Sequence, residues 1–226
     1  MGAKVEFLSL NNSMKTKILK INRNRVIQEH ITMMNNVLAG SGVIAYPTDT
    51  FYGLGCDSRS QDAVRKIYHL KKRLSAKPSP VLVADLDMVK RLASELPPSF
   101  MILAARFWPG PLTLVLRVRE DFPPEILGPN HSLAMRLPDI SWIRDLARGL
   151  GAPLVATSAN ISGEKEIARP EEVIAVFQGK VDLIIEGGPT PGGKPSTVVD
   201  LTSGGLKILR EGRIPEQLIL DAVNLA

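Results

Sequence analysis

A single cysteine, Cys56, stands among 226 residues, which excludes an internal disulfide and any metal site built on paired thiolates. The histidines are His30, His69 and His131, and no two have the spacing of metal ligands, so no metal-binding residue is expected. Aromatic residues make up 5% and never interleave with basic ones as a platform for single-stranded bases requires. No stretch approaches the roughly 20 apolar residues of a membrane helix. Residues 1–17 are polar and lack the apolar centre of a secretion signal, so a cytoplasmic protein is expected. There is no internal repeat, no low-complexity run and no G-x-x-x-x-G-K-[ST] phosphate loop. Ser158 is not framed by G-x-S-x-G, which argues against a serine nucleophile.

What is present is material for a packed core. Hydrophobic residues reach 44% and the mean hydropathy is +0.05, outside the composition of disordered chains. Lysine and arginine number 28 against 23 aspartate and glutamate, a net charge of +5. That balance suits an anionic partner such as a nucleotide or nucleic acid, and equally a mildly basic surface with no such partner.

Hydrophobic periodicity divides the chain into alternating elements. Ile27, Ile31, Met34 and Val37 recur at helical spacing before Gly40, and Val64, Ile67 and Tyr68 mark one face of a helix over 61–70. Further helices are expected near 87–95, 99–107, 141–149, 171–177 and 216–223. Strands are expected near 42–46, 80–84, 112–118, 133–137, 154–157, 183–186, 197–201 and 206–209. The last two flank Ser203-Gly204-Gly205, a hairpin signal. Interleaved strands and helices predict an α/β fold with a mixed sheet. Residues 1–13 are either an edge strand or an extension preceding a start at Met14, and 14–226 form one domain.

Four loops beside strand or helix ends carry the polar residues that α/β folds use for ligands. The stretch Tyr46-Pro47-Thr48-Asp49-Thr50-Phe51-Tyr52-Gly53-Leu54-Gly55 offers hydroxyls, a carboxylate and glycines. Read alone, it is either a polar binding loop or a turn bonded to its own backbone. The run Lys71-Lys72-Arg73-Leu74-Ser75-Ala76-Lys77-Pro78 could hold a triphosphate or be a solvated basic surface. Thr157-Ser158-Ala159-Asn160 suits a phosphate or ribose, and also a helix cap. Ser196-Thr197-Val198-Val199-Asp200 with Arg210-Glu211-Gly212 reads alone as two strand arms and a surface charge. The glycine- and proline-rich segment 187–195 reads as a mobile loop that closes over a site.

In order and spacing these segments resemble the YrdC-like family of threonylcarbamoyl-AMP synthases. Lys71-Lys72-Arg73 and Ser158-Ala159-Asn160 match its K-x-R … S-x-N signature. Pro47-Thr48-Asp49-Thr50-Phe51-Tyr52-Gly53-Leu54-Gly55, Pro109-Gly110-Pro111-Leu112-Thr113, Arg136-Leu137-Pro138, Ser196-Thr197-Val198-Val199-Asp200 and Arg210-Glu211-Gly212 match its other segments, from about residue 40 to 212. The resemblance implies a single α/β domain with a twisted mixed parallel/antiparallel sheet flanked by helices and a concave basic face. It implies the short form of the family, without the extra C-terminal domain of longer relatives. The implied reaction joins L-threonine, bicarbonate and ATP, with Mg2+ accompanying ATP, to give threonylcarbamoyl-AMP and pyrophosphate. A partner transferase then modifies adenosine 37 of tRNA.

Carried across by motif, Lys71, Arg73, Ser158 and Asn160 are the implied catalytic residues. Arg73, Lys77, Ser132, Asn160 and Arg210 are implied to contact ATP, and Thr50, Arg136, Ser158 and Ser196 to contact L-threonine. Three positions depart from the pattern. Leu74 stands where proline is common, Leu82 where a histidine near the amino acid is common, and Ala168 where a threonine lines the nucleotide. Two other classes share some of these features. A non-catalytic YrdC-like module would bind tRNA or double-stranded RNA on the basic face. A paralogue would act on a different carbamoyl substrate; the metallocentre-assembly relatives carry cysteine-rich zinc motifs that one cysteine cannot supply.

Overall fold

The structure, a computed structural model, describes residues 15–72 and 78–225. Helix α1 (Gln28–Ala39) follows strand β1 (Lys17–Lys20), and β2 (Ile44–Pro47) and β3 (Tyr52–Gly55) lead to α2 (Gln61–Leu70). After β4 (Val81–Leu82) come α3 (Leu86–Leu92), α4 (Pro98–Phe107), β5 (Leu112–Arg117), β6 (Ser132–Arg136) and α5 (Ser141–Leu150). The chain continues through β7 (Leu154–Val155), β8 (Thr157–Ser158), α6 (Pro170–Phe177), β9 (Leu183–Glu186), β10 (Thr197–Asp200), β11 (Lys207–Arg210) and α7 (Glu216–Asn224).

The helices form where local chemistry starts them and an apolar face holds them. Ser60 caps α2 by accepting from the Ala63 amide, and Ala63, Val64, Ile67 and Tyr68 are buried along its inner face. Asp85 caps α3 in the same way through the Met88 amide. Helix α5 buries Trp142, Ile143, Leu146 and Ala147 and ends at Gly151, whose φ of 69° is the left-handed closure that glycine adopts without strain.

The expected mixed α/β class holds, with the strands divided between two mixed sheets. One runs β1-β9-β2-β3-β8 and the other β11-β10-β5-β6-β4-β7. In the first, β1, β9 and β2 are parallel while β3 and β8 run against their neighbours. The second centres on β5, parallel to β10 and antiparallel to β6. The expected antiparallel hairpin of β10 and β11 is present. One buried cluster joins Leu54, Val83, Leu114, Met135 and Val155; a smaller one joins α1 to α5 through Ile31, Met34, Leu38, Trp142 and Leu146.

Two differences from the sequence reading matter for the site. The expected strand over 154–157 is two short strands, because Leu154 and Val155 pair with β4 whereas Thr157 and Ser158 pair with β3. The chain thus steps from one sheet to the other at Ala156. Second, Tyr52–Gly55, read as loop, is a strand that folds back on β2 with Pro47 opposite Tyr52 and Ile44 opposite Gly55. Gly55 is required by contact: a Cβ there would lie 2.8 Å from Tyr46 Cε1 and 2.9 Å from the Val155 carbonyl oxygen.

Gly55→Ala is therefore expected to destabilise the fold by about 1–3 kcal/mol through overpacking. Gly205→Ala, where no atom lies within 4 Å, is expected to change stability by less than about 0.5 kcal/mol. Urea unfolding of the two variants tests the contrast; equal effects would contradict it.

Candidate active site

Where the two sheets meet, a cleft of about 320 Å³ opens. Among its lining residues are Thr50, Arg136, Ser158, Ser196 and Arg210, drawn from five separate segments. Leu82, at the position where the family's histidine is common, also lines it, with 6% of its surface exposed.

The five polar side chains just named each bond a neighbour. Arg136, at the end of β6, donates from Nε to the Gly110 carbonyl at 2.8 Å and from Nη2 to Asp49 Oδ2 at 2.7 Å. The Arg136 and Asp49 side chains are only 13% and 21% exposed, and Arg213 approaches the same Asp49 oxygen at 3.5 Å. A guanidinium has five N–H donors, so these contacts orient Arg136 and leave others for a carboxylate. Thr48 Oγ1 donates to the Phe51 carbonyl at 2.6 Å and accepts from the Thr50 amide at 3.1 Å, which sets the loop that presents Thr50.

On the opposite side, Ser196 Oγ lies 2.9 Å from Thr113 Oγ1, and Arg210 donates from Nη2 to the Ser196 carbonyl at 2.9 Å. Desolvation draws the Arg210 pKa below its ordinary value, an effect the Glu166 carboxylate opposes. Glu166 is the only acidic residue lining the cleft among the described residues. No spacing or motif in the sequence pointed to it.

Behind the lining lies Lys71, 3% exposed. Its Nζ donates to the Ser158 carbonyl, to the Asn160 carbonyl at 2.8 Å and to Asn160 Oδ1 at 3.0 Å. Ser158 Oγ donates to the same Asn160 Oδ1 at 2.6 Å, and Asn160 Nδ2 donates to the Glu164 carbonyl at 2.6 Å. Lys71 therefore clamps the loop after β8 to the end of α2.

The other sequence-derived residues fall as follows. Ser132 is 2% exposed at the start of β6, bridged to Gly128 and not among the cleft-lining residues. Arg73 and Lys77 lie outside the described residues. Ala168 meets the segment 187–195 through its backbone, its carbonyl accepting from the Thr190 amide at 2.8 Å. That segment is tied down again where the Gly192 amide donates to the Thr50 carbonyl at 2.6 Å. Among the described residues no group of three or more His, Cys, Asp or Glu is placed to hold a metal ion, and no helix is long and apolar enough to cross a membrane.

These features define a class: an α/β domain that gathers basic and hydroxyl side chains in a cleft between two mixed sheets. The Sua5/YciO/YrdC family model, described as telomere recombination, matches residues 36–212, and the chain belongs to that family. A relative from Pyrococcus abyssi (strain GE5 / Orsay) named threonylcarbamoyl-AMP synthase is 37% identical over 202 residues, covering 89% of this chain and 59% of its own length. The chain thus spans less than two thirds of that relative. The crystal structure of P. abyssi Sua5 complexed with L-threonine superposes with a TM-score of 0.85 at 35% identity, covering 92% of this chain and 61% of that one. Escherichia coli YciO superposes with a TM-score of 0.79 at 28% identity, covering 88% and 97%.

Lys71→Met removes the clamp's ammonium and leaves the carbonyls of Ser158 and Asn160 short of a donor. The expected loss is about 1–3 kcal/mol of stability in urea, with faster amide exchange over 157–163. Unchanged stability and exchange would contradict the clamp.

Proposed function

We propose that this domain forms threonylcarbamoyl-AMP and pyrophosphate from L-threonine, bicarbonate and ATP. One observation supports this above the others: Thr50, Arg136, Ser158, Ser196 and Arg210 converge on one cleft, in a chain 37% identical to a relative bearing that enzyme's name. The L-threonine complex of P. abyssi Sua5 supports the amino-acid part of the reading.

In this reading Arg136 holds the threonine carboxylate in a charge-assisted contact, already aimed by Asp49 and Gly110. Thr50, Ser158 and Ser196 orient the rest of the amino acid. The amine and bicarbonate condense to a carbamate with loss of water. A carbamate oxygen then attacks the α-phosphate, the bond to the β-phosphate breaks, and pyrophosphate leaves with its electron pair. Arg210 meets the nucleotide from the cleft wall, Asn160 and Ser132 border it from positions outside that lining, and Arg73 and Lys77 receive the phosphates. No covalent nucleophile is needed: in-line placement and fixed positive charge lower the barrier. Lys71 contributes by holding Ser158 and Asn160 in place. Magnesium would arrive with ATP, carried by the phosphates, since among the described residues Glu166 is the only carboxylate of the cleft lining. The product, a mixed anhydride, passes to a transferase that modifies adenosine 37 of tRNA.

Pyrophosphate release from ATP, with bicarbonate present, tests the reading. Release is expected to require L-threonine over serine, valine or no amino acid. It is expected to fall at least about 100-fold in Asn160→Ala and Lys71→Ala. ATP binding without threonine-dependent release would contradict it in favour of another carbamoyl substrate. RNA binding that falls with salt and ignores ATP would instead favour a non-catalytic module.

A further inference from the structure

The cleft is bordered by a tyrosine whose hydroxyl no described residue satisfies. Tyr46 lies on β2 and lines the cleft, yet it is fully buried, and its hydroxyl has no hydrogen-bond partner among the described residues. Buried hydroxyls nearly always have one, because an unmade bond leaves the desolvation cost uncompensated. The protein could have placed phenylalanine here without that cost.

The position of the ring is not accidental. Tyr46 pairs with Gly53, and its ring lies over β3, where a Cβ on Gly53 would be 3.5 Å from Tyr46 Cζ and one on Gly55 2.8 Å from Cε1. Trp142 meets the ring edge-on with centroids 6.2 Å apart. Two glycines and an indole thus fix the ring's direction. Burial pushes the phenol pKa well above its ordinary value, and Arg136 opposes the shift without cancelling it. The hydroxyl is therefore a neutral group able both to donate and to accept.

Its surroundings say what kind of partner fits. Tyr46 shares its buried cluster with Leu82, Leu154 and Trp142, and Leu82 and Ala156 line the cleft with it. A second carboxylate or a phosphate would be desolvated there without a cation of its own, since Arg136 is the guanidinium already engaged by Asp49. A small side chain carrying one hydroxyl and one methyl suits both the unpaired phenol and the apolar wall. Leu82 offers no hydrogen bond to such a hydroxyl; Tyr46 does.

We propose that Tyr46 is a specificity-determining residue whose hydroxyl bonds the side-chain hydroxyl of the bound amino acid and so selects threonine over its isostere valine. This rests on the reading of the cleft as a threonine site. A site that offers a hydrogen bond to a substrate hydroxyl penalises the analogue lacking it, because the protein group is then left unpaired.

The test is Tyr46→Phe, which removes one oxygen, assayed by calorimetric binding of L-threonine, L-valine and ATP to the full chain, with thermal unfolding of the unliganded proteins. The wild type is expected to prefer threonine to valine, and Tyr46→Phe to reduce that preference by about 10- to 100-fold with ATP affinity unchanged. The unliganded variant is expected to unfold at the same or a higher temperature, since it loses an unsatisfied group. An undiminished threonine preference in Tyr46→Phe overturns the role of Tyr46 and leaves the proposed function standing. A lowered unfolding temperature also overturns it, because the hydroxyl would then serve the fold. A wild type that binds ATP but neither amino acid overturns the proposed function, and this inference with it.

Discussion

The cleft depends on one buried ammonium. A charge withdrawn from water is tolerated only where oxygens replace its hydration, and Lys71 finds them in the Ser158 and Asn160 carbonyls and the Asn160 side chain. Those oxygens belong to the segment in which the chain leaves one sheet for the other, with Leu154–Val155 paired to β4 and Thr157–Ser158 to β3. The ammonium thus ties the end of α2 to the junction between the sheets. Without that tie Ser158 and Asn160 would rest on the two-residue pairing of β8 and on bonds within their own loop.

The remaining side chains follow the same logic of mutual restraint. Arg136 is aimed by Asp49 and Gly110, and Ser196 by Thr113 and Arg210. A site prepared in this way has little left to reorganise when charge develops on a ligand, which is the condition for electrostatic stabilisation without a covalent step. The segment 187–195 adds a further restraint. Anchored through Thr190 to Ala168 and through Gly192 to Thr50, it lies against the loop that presents Thr50 rather than standing free of it.

Much of this was legible in the sequence. The helix over 61–70 was visible because Val64, Ile67 and Tyr68 repeat at helical spacing behind a serine cap. Lys71 continues that same spacing, three residues after Tyr68 and four after Ile67, so its inward direction was available from periodicity; a run of cations instead reads as solvated surface or phosphate contact. β3 was hidden because Gly53 and Gly55 weaken a strand signal, and the reason for Gly55 is the Tyr46 ring and the Val155 carbonyl, both on neighbouring strands. The break at Ala156 was hidden because its cause is the choice of partners, β4 on one side and β3 on the other. Glu166 and the unpaired Tyr46 hydroxyl become visible only when distant segments are brought together. Five of the motif residues, Thr50, Arg136, Ser158, Ser196 and Arg210, line the cleft, while the contacts that aim its side chains are long-range and left no local pattern.

The most direct measurement is a crystal structure of the protein with L-threonine and a non-hydrolysable ATP analogue bound together. The expected result places the amino acid's carboxylate on Arg136 and its side chain toward Tyr46. The α-phosphate should lie beside the Ser158–Asn160 loop, within reach of a carbamate oxygen. Threonine bound away from Arg136, or the two ligands too far apart to react, would contradict the assignment of this cleft as the site where they are joined.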